Sequence, residues 1–152
     1  MSEKIETYWQ QYLDTLPESE RHITYTAEGW GDSPQMATEL GTLIAQGIKT
    51  ATCSALWEWE ADGEAIPDPG TITIVLDGED NPLCIVETTE VIVQPYDKVD
   101  AQFAYDEGEG DRSLEYWRRV HWNFFTRSLA TIGKEPAMDM PLVCERFRVI
   151  YR

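Results

Sequence analysis

Apolar residues at helical spacing predict two helices in the first third of the chain. In the first helix they are Ile5, Tyr8, Trp9, Tyr12, Leu13 and Leu16. Pro17 ends this pattern, and a polar segment follows it. In the second helix they are Met36, Leu40, Leu43 and Ile44. Ser33 is expected to cap this helix, with Pro34 in its first position and Gly47 at its end.

From residue 49 onward, β-branched and aromatic residues replace the helical pattern. The segments predicted as strands are residues 50–60, 71–77, 83–93 and 141–151. The turns IPDPG and DGEDN separate the first three strands. Before the last strand, residues 96–111 predict a short helix and an acidic turn, and residues 113–129 predict a long helix capped by Ser113.

These elements predict one α+β domain over residues 1–152. Residues 1–28 form an N-terminal helix with its connector, and residues 29–152 form the core. Tight turns between the early strands and a helical insertion before the last one favour a mixed or antiparallel sheet. A small β-barrel flanked by helices is the expected architecture.

The composition is that of a globular protein. Hydrophobic residues make up 42% of the chain and aromatic residues 11%, which argues against disorder. The N-terminal sequence has no basic stretch followed by a long apolar run. No segment approaches the roughly 20 apolar residues that cross a bilayer. We therefore expect a soluble cytoplasmic protein without membrane contact.

The formal net charge of −16 restricts the partners of this protein. Affinity for a long nucleic acid comes largely from Lys and Arg side chains that neutralise phosphates, and so acidic a surface repels a phosphate backbone. Binding to long RNA or DNA regardless of sequence is thus disfavoured. A nucleoside, a short single strand or a protein partner is less affected.

Cys53, Cys84 and Cys144 are odd in number, far apart and without a CxxC pair. This pattern argues against a disulfide scaffold and against a cysteine-rich zinc site. Each cysteine lies in an apolar strand-like segment, where a free thiol behaves as a small buried hydrophobic group. We predict no cofactor and no metal ion.

Three stretches of the sequence together resemble the ASCH domain family. They are ELGTLIAQGIKTATCS, PLCIVETTEVIVQPYDKV, and FAYDEGEGDRSLEYWRRVH followed by VCERFRVIY. They occur in the family's order between residues 29 and 151, and the motif EGEGD-x-S-L-x-x-W-R indicates a longer branch of the family. The resemblance implies a β-barrel of the PUA-like type with a cleft beside it.

The resemblance also implies two kinds of activity. Members of the family are proposed RNA-binding modules, and some are hydrolases that deacylate N4-acetylcytidine or cleave RNA. The amidohydrolases use a Lys, a Thr three residues later and a downstream Glu. In this chain those positions are Lys49, Thr52 and Glu107, with Glu109 as a second choice for the carboxylate. Family membership does not by itself decide the reaction.

Lys49 is the central candidate for chemistry. In a partly desolvated cleft a lysine loses some of its preference for the charged form, so it could act as a base or hold an anionic oxygen. It could equally be a surface lysine at the end of a helix. Thr50, Thr52 and Ser54 share one strand face, and one of them could be a nucleophile. Lys49 must precede the strand to cooperate with Thr52, because strand residues three apart face opposite sides.

Two glutamates on predicted strands are further candidates. Glu87 and Glu145 each alternate in register with apolar neighbours. A carboxylate on an apolar face needs a partner, which could be Lys49 or Arg118 at a binding site. The alternative for both is a structural ion pair or a position at the rim of the barrel.

The acidic turn offers several carboxylates close together. They are Asp106, Glu107, Glu109 and Asp111. Gly108 and Gly110 allow a tight turn that aims them at one point, so that one of them could transfer protons. Acidic groups before a helix N-terminus are also stabilised by the helix dipole, which is a sufficient structural explanation.

The remaining candidates would contact a nucleobase or a phosphate. His121 could be a general base or a phosphate contact, or a half-buried packing residue. Arg118 is suited to grip a phosphate or a base carbonyl. Trp30 and Trp57 offer flat faces on which a base could stack, although core packing explains most tryptophans in so small a domain.

Two functions are consistent with these features. The first is a hydrolase acting on a nucleoside derived from RNA, such as an N4-acylated cytidine, or on RNA itself. The second is a non-catalytic RNA-binding module, whose phosphate contacts would come from Arg118, Arg119, Arg127, Arg146 and Arg148. The partner is RNA or a nucleoside rather than DNA. The sequence leaves open whether the protein is an enzyme and whether it forms a homodimer.

Overall fold

The computed structural model describes residues 2–152. Its helices are α1 (Glu3–Leu13), α2 (Pro34–Ala45), α3 (Leu56–Asp62), α4 (Ala101–Glu107) and α5 (Leu114–Ala130). Its strands are β1 (Thr26–Glu28), β2 (Ala51–Ala55), β3 (Ile72–Leu76), β4 (Pro82–Pro95) and β5 (Pro141–Tyr151). Short 3₁₀ turns cover Glu18–Glu20 and Tyr96–Lys98.

The strands form a mixed sheet in the order β1-β3-β4-β5-β2. β1 runs parallel to β3, whereas β3 is antiparallel to β4 and β2 is antiparallel to β5. A mixed sheet accompanied by helices was predicted from the sequence, and the α+β class is confirmed.

The chain forms two compact units built from separate segments. The first unit comprises residues 2–47, 70–87 and 148–152, and the second comprises Ile48–Pro69 and Thr88–Phe147. β4 and β5 each contribute residues to both units. The assignment of residues 1–152 to a single domain stays a prediction.

The core of the first unit is formed by the apolar stripe of α1 on β3 and β4. Its buried residues are Ile5, Trp9, Tyr12, Ile74, Leu76 and Ile85. The Oγ of Ser2 caps α1 by accepting the N–H of Ile5. The predicted first helix is therefore confirmed, because the residues at helical spacing are those that pack on the sheet.

The predicted signals at both ends of α2 are also confirmed. The Oγ of Ser33 accepts the N–H of Met36, and Pro34 is the first helical residue. Gly47 follows the helix with a φ of 76°, a left-handed conformation that glycine adopts without steric cost. This turn fixes the point at which the chain leaves the helix just before Lys49.

The core of the second unit is formed by α4, α5, β2 and β5. Its buried residues include Ala51, Ala55, Phe103, Trp117, Phe125, Leu129, Leu142 and Cys144. Asp100 caps α4 and Ser113 caps α5, each by accepting a backbone N–H three residues later. The helices predicted between the last two strands are thus confirmed.

The predicted strand over residues 50–60 is correct only in its first half. β2 ends at Ala55, which lies opposite Leu142. The residue after Ala55 would pair with Pro141, which has no N–H to donate to a longer strand. The chain turns into α3, whose C-terminus is closed by Gly63 with a φ of 66°. No residue of α3 is fully buried.

Strand β1 was not predicted. It has three residues and pairs in parallel with β3, with Thr26 opposite Thr73. So short a segment carries no alternation that sequence periodicity could detect. Among residues 2–152, none of the helices combines the length and the apolar character that crossing a lipid bilayer requires.

Candidate functional site

The segment around Lys49 is held by backbone hydrogen bonds within the second unit. The N–H of Thr50 donates to the carbonyl of Asp106 at 2.8 Å, and the N–H of Phe147 donates to the carbonyl of Thr50 at 3.1 Å. Lys49 itself precedes β2, which is the position predicted as necessary for it to cooperate with Thr52. Its backbone is therefore fixed between the end of α4 and β5.

The acidic turn after α4 lies directly against this segment. Gly108 and Gly110 have φ values of 72° and 59°, so both are in the left-handed region. A Cβ on Gly108 would lie 2.6 Å from the carbonyl oxygen of Ile48, which is too close for any other residue. The two glycines thus bring Glu107 and Glu109 to the Lys49 side chain, as the pattern of the turn predicted.

Lys49 forms the centre of a buried ion cluster. Its Nζ lies 2.9 Å from the Oε1 of Glu107 and 2.8 Å from the Oε2 of Glu109, and it also donates to the carbonyl of Ala51 at 2.9 Å. The Lys49 side chain is 1% exposed and that of Glu107 is 2% exposed. Glu109, at 22%, is the carboxylate of this cluster that reaches solvent.

The electrostatics of Lys49 favour one of the two roles that the sequence left open. Burial by itself disfavours the ammonium form, but the charges of Glu107 and Glu109 and their hydrogen bonds raise the pKa of Lys49 above its ordinary value. The protonated amine is suited to hold an anionic group and not to act as a base.

Glu107 is the most heavily contacted carboxylate in the cluster. Its Oε1 faces Lys49, while its Oε2 accepts the indole N–H of Trp117 and lies 3.4 Å from the Nε2 of His121. Burial would raise its pKa, but the charge of Lys49, followed by the charge and hydrogen bond of His121, lowers it. These contacts favour the carboxylate form of Glu107, whose side chain is shielded from solvent.

His121 contacts the cluster through both ring nitrogens. Its ring stacks on Trp117 with centroids 4.3 Å apart, its Nδ1 lies 2.9 Å from the Trp117 carbonyl, and its Nε2 faces Glu107. Nδ1 must carry a hydrogen, because a carbonyl can only accept. Burial lowers the pKa of His121, but the charge and hydrogen bond of Glu107 outweigh this and raise it. Glu107 therefore favours the imidazolium form of His121.

The three predicted hydroxyl residues are not equivalent. Thr50 donates to the carbonyl of Asp106 at 3.3 Å, and the Oγ of Ser54 accepts the indole N–H of Trp59. Thr52 is opposite Glu145 in the β2–β5 register, so its side chain is on the face away from Cys53. No hydrogen bond joins Thr52 to Lys49 within residues 2–152. The structure does not bring Thr52 into the cluster.

Other predicted residues of the second unit serve local structure. Trp57 packs against the core with the Nζ of Lys134 5.3 Å from its ring. Asp111 accepts the N–H and the hydroxyl of Ser113 at the start of α5, which is the structural role that the sequence left open. The side chain of Arg118 is exposed, and its carbonyl accepts the hydroxyl of Tyr96.

Two predicted residues lie in the first unit. The indole N–H of Trp30 donates to Glu28, two residues earlier. Glu87 accepts two hydrogen bonds from Arg148 at 2.9 and 2.6 Å. Of the two alternatives open for Glu87, the structure shows the structural ion pair, with an arginine of β5 as the partner. Glu145 is half-buried on β5 in the second unit, opposite Thr52.

Cys53 is the member of the site that the sequence did not single out. It lies on β2 between Ala51 and Ala55, which are both buried in the core. Its Sγ, a carboxylate oxygen of Glu107 and a ring nitrogen of His121 all lie within 4.8 Å of one another. Burial and the charge of Glu107 raise the pKa of this thiol well above its usual value. Strand alternation from Lys49 through Ala51 to Cys53 is the signal that could have identified it.

Two of the arginines expected to bind phosphate form ion pairs with carboxylates of the protein. Arg146 forms ion pairs with Asp106 at 2.6 Å and Glu90 at 3.7 Å, and Arg148 pairs with Glu87. The guanidinium of Arg119 lies 5.5 Å from the ring of Tyr116. Carboxylates thus neutralise the two arginines of β5 that were predicted to form a basic patch.

Comparisons with known proteins show which family this chain resembles over most of its length. A family model for the ASCH domain matches residues 26–151. The ASCH domain from Lactobacillus crispatus JV V101 is 35% identical, with 100% of this chain and 97% of that chain covered and a TM-score of 0.94. Protein EF3133 from Enterococcus faecalis V583 is 37% identical, with coverage of 99% and 90% and a TM-score of 0.89.

More distant comparisons add little. Hypothetical protein PH0355 is 16% identical over 84% of this chain and all of that chain, with a TM-score of 0.54, which shows similarity of fold alone. No curated protein matches the sequence significantly.

The close approach of Gly108 to the backbone of Ile48 predicts that a larger residue at position 108 destabilises the protein. We expect Gly108→Ala to lower the free energy of unfolding by more than the roughly 1–2 kcal/mol of left-handed strain alone, because the new methyl group meets the Ile48 carbonyl. Gly133→Ala is the matched control, since Gly133 has a similar φ of 71° but no atom within 4 Å. Urea denaturation of both variants measures the difference, and equal losses would contradict the packing described here.

The raised pKa of His121 predicts that the stability of the protein depends on pH. Because its folded pKa is raised above 6.5, the ion pair contributes fully below about pH 6.5 and its contribution is lost as the pH rises through the folded pKa. We expect wild type to lose stability over this range more than His121→Gln does. Urea denaturation with a chelator from about pH 6 to about pH 9 tests this.

The exposed His22 supplies the control for the pH experiment. His22→Gln should keep the pH dependence of wild type. If His121→Gln also keeps it, His121 is not ionised in the folded protein.

Proposed function

Because this chain belongs to the ASCH domain family, we propose that it is a hydrolase that removes the acyl group from an N4-acylated cytidine or a similar nucleoside amide. The observation that carries this proposal is the Lys49 ammonium held between Glu107 and Glu109. Resemblance to the family's amidohydrolases implies a lysine and a glutamate in these positions. Assignment to the longer branch of the family remains part of the proposal.

In this proposal Glu109 is the group that moves protons. Lys49 and Glu107 are almost completely buried, whereas the Glu109 carboxylate is 22% exposed and can meet a substrate. Glu109 accepts a proton from a water molecule, and the water oxygen attacks the amide carbon. The C–N bond then breaks and the proton passes from Glu109 to the departing nitrogen, which yields acetate and cytidine from N4-acetylcytidine.

Lys49 and Glu107 hold Glu109 in place and set the local charge. The ammonium lies 2.8 Å from the Glu109 carboxylate, so it fixes the carboxylate's position in the turn. Lys49 carries its positive charge beside the reacting group. Charge held in place before the reaction is what stabilises a developing oxyanion, since no reorganisation is needed in the transition state.

Water is the nucleophile in this proposal, although the resemblance assigns a role to Thr52. The register of β2 and β5 turns the Thr52 side chain away from the face of Cys53, whose thiol is close to Glu107. A threonine nucleophile would form an acyl ester before hydrolysis. Mass spectrometry of protein quenched during turnover distinguishes the two routes, and an acetyl group on Thr52 would contradict attack by water.

The charge distribution favours a small uncharged nucleoside over an RNA chain. The protein carries a net charge of −16, and Arg146 and Arg148 are engaged by carboxylates. A polyanion would have to displace these ion pairs to gain phosphate contacts. A nucleoside amide pays no such electrostatic cost.

The decisive experiment is the release of cytidine from N4-acetylcytidine. We expect wild type to release cytidine, and Glu109→Gln to reduce kcat/KM by about 10²–10⁴-fold, because the amide cannot accept a proton. Glu115→Gln is the matched control, since Glu115 is an exposed glutamate in the first turn of α5. It should keep wild-type activity.

Two results would overturn the proposal. One is wild-type protein that releases no cytidine from any N4-acylated cytidine supplied. The other is a Glu109→Gln variant as active as the Glu115→Gln control. Cleavage of a single-stranded RNA by wild type in place of deacylation would favour a ribonuclease, and binding without cleavage would favour an RNA-binding module.

A further inference from the structure

We propose that Cys53, Glu107 and His121 form a binding site for a divalent transition-metal ion of the zinc type. The three residues come from β2, the end of α4 and α5, so the fold brings them together from distant parts of the chain. Their donor atoms lie within 4.8 Å of one another. This inference is separate from the proposed hydrolase activity, in which no metal takes part.

The spacing of the donors suits a tetrahedral ion. Two nitrogen or oxygen ligands at about 2.0–2.1 Å from a tetrahedral zinc ion are about 3.3–3.4 Å apart. The Nε2 of His121 lies 3.4 Å from the Oε2 of Glu107. These two atoms are therefore already separated by one edge of such a tetrahedron, and the Cys53 sulfur lies next to both.

The chemistry of the donors selects the kind of metal. A thiolate, an imidazole and a carboxylate are the ligands that zinc and cobalt accept together. Magnesium and calcium prefer sites made entirely of oxygen atoms. The donor set therefore favours zinc or cobalt over magnesium and calcium.

Contacts around the three donors orient them toward a common point. The Nδ1–H of His121 donates to the Trp117 carbonyl, which leaves Nε2 for the ion. Glu107 is held by Lys49 on Oε1 and by the Trp117 indole on Oε2. Hydrogen bonds of this kind, from a metal-binding histidine to a carbonyl and to a ligating carboxylate, are typical of metal sites.

The charge of the cluster can accept a divalent ion despite its burial. Lys49 faces the carboxylates of Glu107 and Glu109, which leaves one surplus negative charge. A metal ion displaces the thiol hydrogen of Cys53, because a cysteine ligand must be deprotonated. The thiolate and the surplus carboxylate together balance the two positive charges of the ion.

Cobalt(II) provides a direct test on the full-length protein treated with a chelator. We expect one ion per chain, with the intense near-ultraviolet charge-transfer band of a cobalt–thiolate bond. Cys53→Ser should remove this band. Cys84→Ser is the control, since Cys84 is buried in the first unit, and it should keep the band. Zinc added afterwards should displace the cobalt.

Calorimetry in two buffers of different ionisation enthalpy tests the proton balance. Binding of zinc to wild type should release the thiol proton of Cys53, and Cys53→Ser should lose this release. His121→Gln should weaken zinc binding by at least about tenfold. Circular dichroism before each titration establishes that the variants are folded.

Several results would overturn the metal site. They are the absence of a charge-transfer band in wild type, a band that survives Cys53→Ser, or magnesium binding as tightly as zinc. These titrations contain no nucleoside, and the cytidine assay is run with a chelator. Failure of the metal site therefore leaves the hydrolase proposal untouched, and the converse also holds.

Discussion

The ammonium of Lys49 beside the carboxylate of Glu107 is the interaction on which the second unit depends. Both groups are buried, and each is tolerated there only because of the other. Loss of one partner from such a pair typically costs about 3–5 kcal/mol, because the remaining charge is left without compensation. The pair also connects the segment before β2 to the end of α4, so the same contact that neutralises two charges fixes the position of the acidic turn.

Much of the fold follows from local sequence signals. Ser33, Pro34 and Gly47 define α2 because each satisfies a requirement at a helix end that only a few residue types meet. The long strands β4 and β5 were predicted from β-branched residues with correct bounds to within a few positions. These features depend on neighbours in the sequence. The end of β2 does not, because it is determined by Pro141 on the partner strand.

Only part of the candidate site could be predicted from the sequence. Lys49 and Glu107 were identified through resemblance to a family, and the left-handed glycines of the turn made their approach credible. Cys53, and not Thr52, lies beside Glu107 and His121, because the register with β5 decides which face of β2 meets α4 and α5. The charge of Lys49 depends on two carboxylates about sixty residues away. No local pattern reports how many opposite charges converge on a buried amine.

The hydrogen-bond count at Lys49 has a consequence for Glu109. Its amine has three hydrogens but four acceptors within reach, namely the carbonyls of Ala51 and Glu107 and the carboxylates of Glu107 and Glu109. The acceptors other than Glu109 are three, which is enough to take all three hydrogens. The amine therefore does not depend on Glu109 for its hydrogen bonds, so the charge of Glu109 can change while Lys49 keeps its position.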